Sequence, residues 1–521
     1  MRVVIYNHLS NRIYRGVRYL RVQSMKWPAA GALLVLAGLT GCGSQYRPVI
    51  NPIPKTGPPS QPQALVAVFS QPGQTAASAA NPSPCPGTQP PYINPGVVTV
   101  LDSSGDSIAA QATVGNGPMT FGMDPNGSFA FSENCDGTLS SMVISGALMS
   151  KNVATSALLP GSGPINSLIL SSASQYIVEQ GASQKDLTGC DPTAPQGSPS
   201  ACRNAIAAMS SNPPTLKVDI SDIAPSVINL TGAPSGQRIY SISQGNSNGG
   251  NLPWGACGTP SAVSVNGEAD GIEVASNSVS SRIPLGVCPV YGVTSADGQR
   301  AFILNRGSGT ISVINTQANQ LDTVNASPYL SNGTINLCNG ATPCNAGPVY
   351  ADFYAPSNLL VVANYDNDTV SVISVSIDVY GNDSPTFGKV LATIPVGHQP
   401  AALTVLQDGS RAYVANEGDG TVSVVSLTTF TPLTTVTLPQ HNGVAPQPRS
   451  IVSNYNYPAG KVYVAAQNSP YVTVIRTDTD VISSQILVQG NVADIHITRQ
   501  YAAQSNINSQ IESRSVGSGA P

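Results

Sequence analysis

Apolar runs of five or six residues alternate with polar turns along much of the chain. Five ten-residue windows align without gaps: FAFSENCDGT from Phe129, AFILNRGSGT from Ala301, LVVANYDNDT from Leu360, AYVANEGDGT from Ala412 and VYVAAQNSPY from Val462. Each is an apolar strand running into a Gly/Asp/Asn turn, and most continue into a second strand: TISVIN, TVSVIS, TVSVVS or VTVIRT. Strand, tight polar turn and strand is the pattern of a β-hairpin. The last three windows start 52 and 50 residues apart, so the hairpin belongs to a longer unit.

Two further marks recur in phase with it. A polar turn precedes the window (DPNGS at Asp124, SADGQR at Ser295, QDGSR at Gln407, YPAGK at Tyr457), and G-x-x-P occurs at Gly115, Gly161, Gly286 and Gly397. Each unit therefore reads as an inner strand A, the window strand B, a Val/Ile/Ser strand C and an outer strand D. Four strands with a period near 40 to 50 residues predict a propeller blade. Candidate B strands begin at or contain Leu65, Phe129, Tyr176, Ile239, Ala301, Leu360, Ala412 and Val462, which is eight. The first lacks a strand A, and a spare apolar strand, Val492 to Thr498, follows the last unit. The expected fold is all-β, an eight-bladed β-propeller over residues 65–500 closed by pairing its N- and C-terminal strands. Seven blades is the alternative, because the third unit has almost no room for a strand D between Val218 and Pro225.

The stretch from Leu360 to Ser426, with VVANYDNDTVSVIS, KVLATIPVGHQP and YVANEGDGTVSVVS, resembles the YVTN (Tyr-Val-Thr-Asn) family of bacterial β-propeller repeats. The resemblance is clear over about residues 285 to 480 and weaker, with insertions, over 65 to 284. It implies a fold and leaves the activity open.

Composition narrows the function. Only 10% of residues are charged, with 49 Gly and 43 Pro, which excludes a coiled coil, a basic nucleic-acid arm and an acidic disordered tail. Arg2, Arg12, Arg15, Arg18, Arg21 and Lys26 all precede residue 43, so the remainder carries 17 basic side chains against 27 acidic ones. A body of that sign repels phosphate backbones, and nucleic acid is not an expected partner.

The segment from Met25 has secretory signal order: Lys26, an apolar run from Ala29 to Leu39, then small residues. That run is shorter than the roughly 20 residues needed to span a bilayer. Leu39-Thr40-Gly41-Cys42 resembles the bacterial lipobox, which implies a signal over residues 1–42, a true start at Met25, lipidation of Cys42 and membrane attachment through the lipid alone. Gly43 after the cysteine implies, by the same resemblance, the outer membrane of a cell envelope. Residues 43–64 carry six prolines and read as a tether reaching roughly 60 Å at ~3.1 Å per residue. Residues 501–521 are small and polar and read as a disordered tail.

Beyond Cys42 there are eight cysteines: Cys85, Cys135, Cys190, Cys202, Cys257, Cys288, Cys338 and Cys344. An even number in an exported chain points to disulfides. Sequence does not fix the connectivity, since eight cysteines allow 105 pairings; local spacing favours Cys190 with Cys202 and Cys338 with Cys344, and Cys85 with Cys135 and Cys257 with Cys288 is one of three ways to pair the other four. The long insertions, roughly 72–95, 181–214 and 244–268, fall between strands B and C. With the D to A connections, which hold Cys288, Cys338 and Cys344, and the ordinary B to C turn that holds Cys135, they place all eight cysteines on one face of the ring, while the other face keeps short turns. The elaborated face is the expected binding surface.

On that face His398 and His441, in successive D to A connections, lie near Asp366, Asp368, Glu417 and Asp419 of the B to C turns. A His/carboxylate site of this kind binds a ligand or polarises an ester. Asn305, Asn364 and Asn416, which end strand B at equivalent positions, read as Asx turns bonding nearby backbone. His496 and Asp494 share one side of the closing strand. No cofactor, metal or catalytic residue is expected, since phosphate-loop, nucleophile-elbow and dinucleotide motifs lack a strand-to-helix setting. The sequence thus points to a non-enzymatic, lipid-anchored binding or scaffold propeller presenting its cysteine-stapled face to a protein or glycan of the envelope. The alternative is a lactonase-like hydrolase with its site at the central channel.

Overall fold

The chain divides into Met1–Gln61 and Pro62–Pro521. A computed structural model describes residues 65–72, 95–144, 204–244 and 266–497, short internal gaps apart, together with the strand backbones at 154–158, 168–170, 175–179 and 514–515. All of these lie in the second unit. Among the described residues there is no α-helix, and the strands form eight antiparallel sheets of four or five strands.

The sheets follow the expected A-B-C-D order. In the sixth these are Pro348–Tyr354, Leu359–Asn364, Thr369–Ser374 and Val390–Pro395, and in the seventh Pro400–Val405, Arg411–Asn416, Thr421–Ser426 and Thr431–Thr437. Seven of the eight candidate B strands take the second place of their sheets; in the second sheet Phe129–Asn134 is third, because Arg514–Ser515 pairs outside its strand A, Pro118–Met123. The first sheet has a composite origin: Asn491–Ile497 pairs with Leu65–Gln71, with Val66 opposite Ile497 and Val68 opposite Ile495. The inner strands touch in sequence from sheet to sheet, and Pro448–Ser453 of the eighth sheet meets Asn491–Ile497 of the first.

Burial follows from stacking sheet on sheet. Strands B and C are covered on both faces and are largely apolar: every residue of Arg300–Asn305 is buried, its polar ends Arg300 and Asn305 included. Strand D borders solvent, so Val481–Leu487 alternates exposed and partly buried positions. Hydrogen bonds tie neighbouring inner strands. Thr231 meets Thr294 and Thr404 meets Ser453, each at 3.0 Å, and Asp352 accepts from the Val405 amide at 2.8 Å.

A second set of ties lies at the end of the C to D turns. A basic residue and a tyrosine two places apart in strand B reach the C to D turn of the next sheet. Lys461 Nζ donates to the Ser103 carbonyl at 3.0 Å and to Asp106 at 2.8 Å, and Tyr463 Oη donates to Asp106 at 2.8 Å. Arg411 repeats this on the Thr477 carbonyl, and both Arg411 and Tyr413 donate to Asp480. Asp106 and Asp480 hold φ of 52° and 55°, a left-handed turn that a short polar side chain tolerates.

Two expectations are corrected. In the third sheet strand C is Asn204–Met209, so the preceding connection ends near residue 203, not 214, and Leu216–Ile223 has room to be strand D. NAIAAM lacks the Val/Ile/Ser signature because alanine is a poor strand former; its Ala205, Ala207 and Ala208 are nonetheless fully buried. The face opposite the B to C connections also has more than short turns. Residues 322–333 interrupt strand D of the fifth sheet, and residues 375–389 join strands C and D of the sixth.

The bond Cys338–Cys344 is present, with Cα atoms 5.5 Å apart. Cys288 is also disulfide-bonded; its partner lies outside the described residues, as do Cys42, Cys85, Cys135, Cys190, Cys202 and Cys257.

Candidate functional site

The site is built on the ends of the B strands. Asn416 is buried, and its Nδ2 donates to Thr421 Oγ1 and Ser423 Oγ, both at 2.9 Å. Asn364 does the same with Thr369 and Ser371, Asn305 with Thr310 and Ser312, and Asn134 with Thr138 and Ser140. The expected Asx turns are therefore corrected: at Asn305, Asn364 and Asn416 the amide spans the hairpin to two hydroxyls instead of capping its own backbone. The G-x-x-P glycines complete this clamp. A Cβ on Gly397 would stand 2.5 Å from Asn416 Nδ2, and one on Gly115 2.5 Å from Asn134 Nδ2, so only glycine passes over the amide. The amide of Gly397 then donates to Ser423 Oγ at 3.1 Å.

The residue after each clamp asparagine is pinned in turn. The amides of Arg306, Tyr365 and Glu417 each donate, at 2.9 Å, to the carbonyl of the residue before the proline of strand A: Cys288, Gly347 and Gln399. Those three have φ of 51°, 60° and 55°. Equivalent backbone therefore presents three unlike side chains at one end of successive sheets. Arg306 forks onto Asp366, with Nε to Oδ2 at 3.0 Å and Nη2 to Oδ1 at 2.6 Å, and lies 5.0 Å over the Tyr365 ring. Glu417 is buried and takes Arg449 Nε at 2.7 Å and its Nη2 on the same oxygen. Tyr365 sits amid these four charges. Burial first, then Glu417, pushes its phenol up to about 12 against the pull of Arg449 and Arg306, so it stays a hydrogen-bond donor.

The six residues singled out in the sequence separate into three groups. Asp366 and Glu417 are engaged by arginines. His398 Nδ1 meets both oxygens of Asp368 at 3.1 Å, with the ring 60% and the carboxylate 44% exposed. Asp368 also accepts the Gln399 amide at 2.8 Å, and Asp419 accepts the His398 amide at 3.0 Å, so the loop is fixed while the imidazole faces solvent. His441 stands apart, edge-on to Tyr471 at 5.6 Å. His496, against Asp494 at 3.1 Å, is buried on the closing strand. Among the described residues no three His, Cys, Asp or Glu side chains are placed to hold a metal ion. Arg306 and Arg449, which organise the arc, were not singled out in the sequence because their partners are 60 and 32 residues away.

No protein-family model and no curated protein matches the chain. Solved structures are similar to it in fold. Apo AztD from Citrobacter koseri is 13% identical with a TM-score of 0.52, over 84% of this chain and 98% of that one. The dihydro-heme d1 dehydrogenase NirN, in complex with DHE, is 10% identical with a TM-score of 0.52, over 84% of this chain and 75% of that one. Both are β-propeller proteins, and the chain described above has a β-propeller fold.

Proposed function

We propose that the chain is a lipid-anchored, extracytoplasmic propeller of eight blades that binds a protein or glycan of the cell envelope without transforming it. The observation that carries the binding role is the arc of Arg306, Tyr365, Asp366, Glu417 and Arg449, held by repeated backbone geometry at the ends of consecutive B strands. The three longest B to C connections leave the same end of their sheets by topology. Arginine forked to a carboxylate beside a tyrosine offers fixed donors and acceptors at low entropic cost, the usual chemistry of recognition. The lactonase-like alternative calls for imidazole and carboxylates acting on one substrate. His398, His441 and His496 instead have separate partners, which supports the binding reading. Eight sheets and the pairing of Asn491–Ile497 with Leu65–Gln71 support the blade count and closure. The sequence from Met25 to Cys42 supports the anchor.

The test compares the two faces in intact cells of the producing organism. A photo-cross-linking residue replaces Asn442, exposed in a D to A connection, or Thr479, exposed in a C to D turn. The expected result is a discrete envelope adduct from position 442 and none from 479. Adducts from 479 alone, or from neither position, would overturn the proposal.

A further inference from the structure

The long C to D connection of the sixth sheet, residues 375–389, does not lie over its own sheet alone. It forms a small hairpin, with Ile377 bridged to Asp383 and the Asp378 amide donating to the Asn382 carbonyl at 2.7 Å. Its base is anchored: Phe387 is fully buried, 6.2 Å from Phe302 of the fifth sheet, and its carbonyl accepts from Ser327 Oγ. Its tip reaches Arg300 on strand B of the fifth sheet. Arg300 Nη2 donates to Asp383 at 2.9 Å and to the Gly381 carbonyl at 3.1 Å.

Arg300 has a second carboxylate, Asp322, on its Nε. The three side chains are 5%, 4% and 0% exposed for Arg300, Asp322 and Asp383. One guanidinium thus faces two buried carboxyls, and if both ionise a net negative charge is left out of water, a costly state that a single proton removes. Other charged groups nearby are committed elsewhere. Asp297 accepts from Ser295 and Gln299, Lys389 lies 5.7 Å over the Tyr329 ring, and Asp378 caps the hairpin through the amides of Tyr380 and Asn382.

We propose that residues 375–389 are a pH-responsive strap. It is seated on Arg300 while the Asp383 carboxyl keeps its proton, and its tip loosens when Asp383 ionises beside Asp322. Burial, then the neighbouring Asp322, raises the Asp383 carboxyl to about 6 against the opposing pull of Arg300. Its folded value lies above its unfolded one, so the stabilisation is complete below about pH 4 and is lost as pH rises through about 6. Tyr380, 86% exposed, stands at the tip, so loosening would free the segment that carries an already exposed aromatic ring.

Hydrogen exchange by mass spectrometry on the full chain at pH 5.0 and 7.5, corrected for intrinsic rates, tests this. Protection of the amides at 378–384 should fall at least tenfold at the higher pH, while that of strand Arg411–Asn416 stays constant. Asp383→Asn and, separately, Asp322→Asn should each abolish the difference, since either leaves one carboxylate for one guanidinium. Equal protection at both pH values in the unsubstituted chain, or an undiminished difference in either variant, would overturn the proposal.

Discussion

The clamp at the seventh sheet permits a sharp energetic test. In Gly397→Ala the new Cβ would stand 2.5 Å from Asn416 Nδ2, 2.7 Å from its Cγ and 2.7 Å from Asp419 Oδ2, distances no packed structure sustains. Overpacking of this kind costs about 1–3 kcal/mol. Asn416→Ala removes two buried hydrogen bonds of 2.9 Å, worth about 1 kcal/mol each. The hydroxyls it leaves are not orphaned, since Ser423 keeps the Gly397 amide and Thr421 keeps Asp419. In the double variant the alanine methyl enters the space vacated by the amide, so most of the steric cost disappears. The sum of the single effects should exceed the double effect by about 1–2 kcal/mol, read from urea denaturation midpoints followed by circular dichroism. Additivity within about 0.5 kcal/mol would show that the glycine is not there to make room for the asparagine, and the account of G-x-x-P would fail.

Two further outcomes follow from the ties between and within sheets. Tyr413→Phe, which removes the phenol that donates to Asp480 from a fully buried ring, should cost about 1 kcal/mol in the same denaturation assay, and Asp480→Ala should cost more because Arg411 also loses its partner. Cys338→Ser with Cys344→Ser opens a link across a sequence separation of 6 and should destabilise the chain by about 2 kcal/mol on chain-entropy grounds, read from the same denaturation midpoints under non-reducing conditions.

Much of the architecture was legible because the B strand is the most buried part of each sheet, and burial on both faces demands the uninterrupted apolar runs that align. Asn204–Met209 escaped notice because alanine serves there where the other sheets use valine and isoleucine. The clamp was half visible: asparagine, then threonine five and serine seven places on, recurs at Asn305, Asn364 and Asn416, and at Asn134 the hydroxyls come one residue earlier. That spacing, taken with G-x-x-P, held the information that the side chains bond each other. The arc was not legible, because the contact between Arg306 and Asp366 depends on how far one sheet is turned against the next. His398 and Asp368, by contrast, were already neighbours in the reading of the turns, and the structure pairs them.

The joining of Leu65–Gln71 to Asn491–Ile497 also sets an order on synthesis. Ser70 Oγ bonds the Gln489 carbonyl, 419 residues away. A chain emerging from a ribosome therefore holds one edge of its earliest strand unpaired until almost all the rest has arrived, since only the other edge is covered early, by Pro95–Asp102. During that wait the backbone of Val66 and Val68 is an open template for any passing β-strand. A polypeptide stopped before residue 491 would never lose that adhesive edge, so premature termination is expected to yield aggregates and not a shorter functional protein.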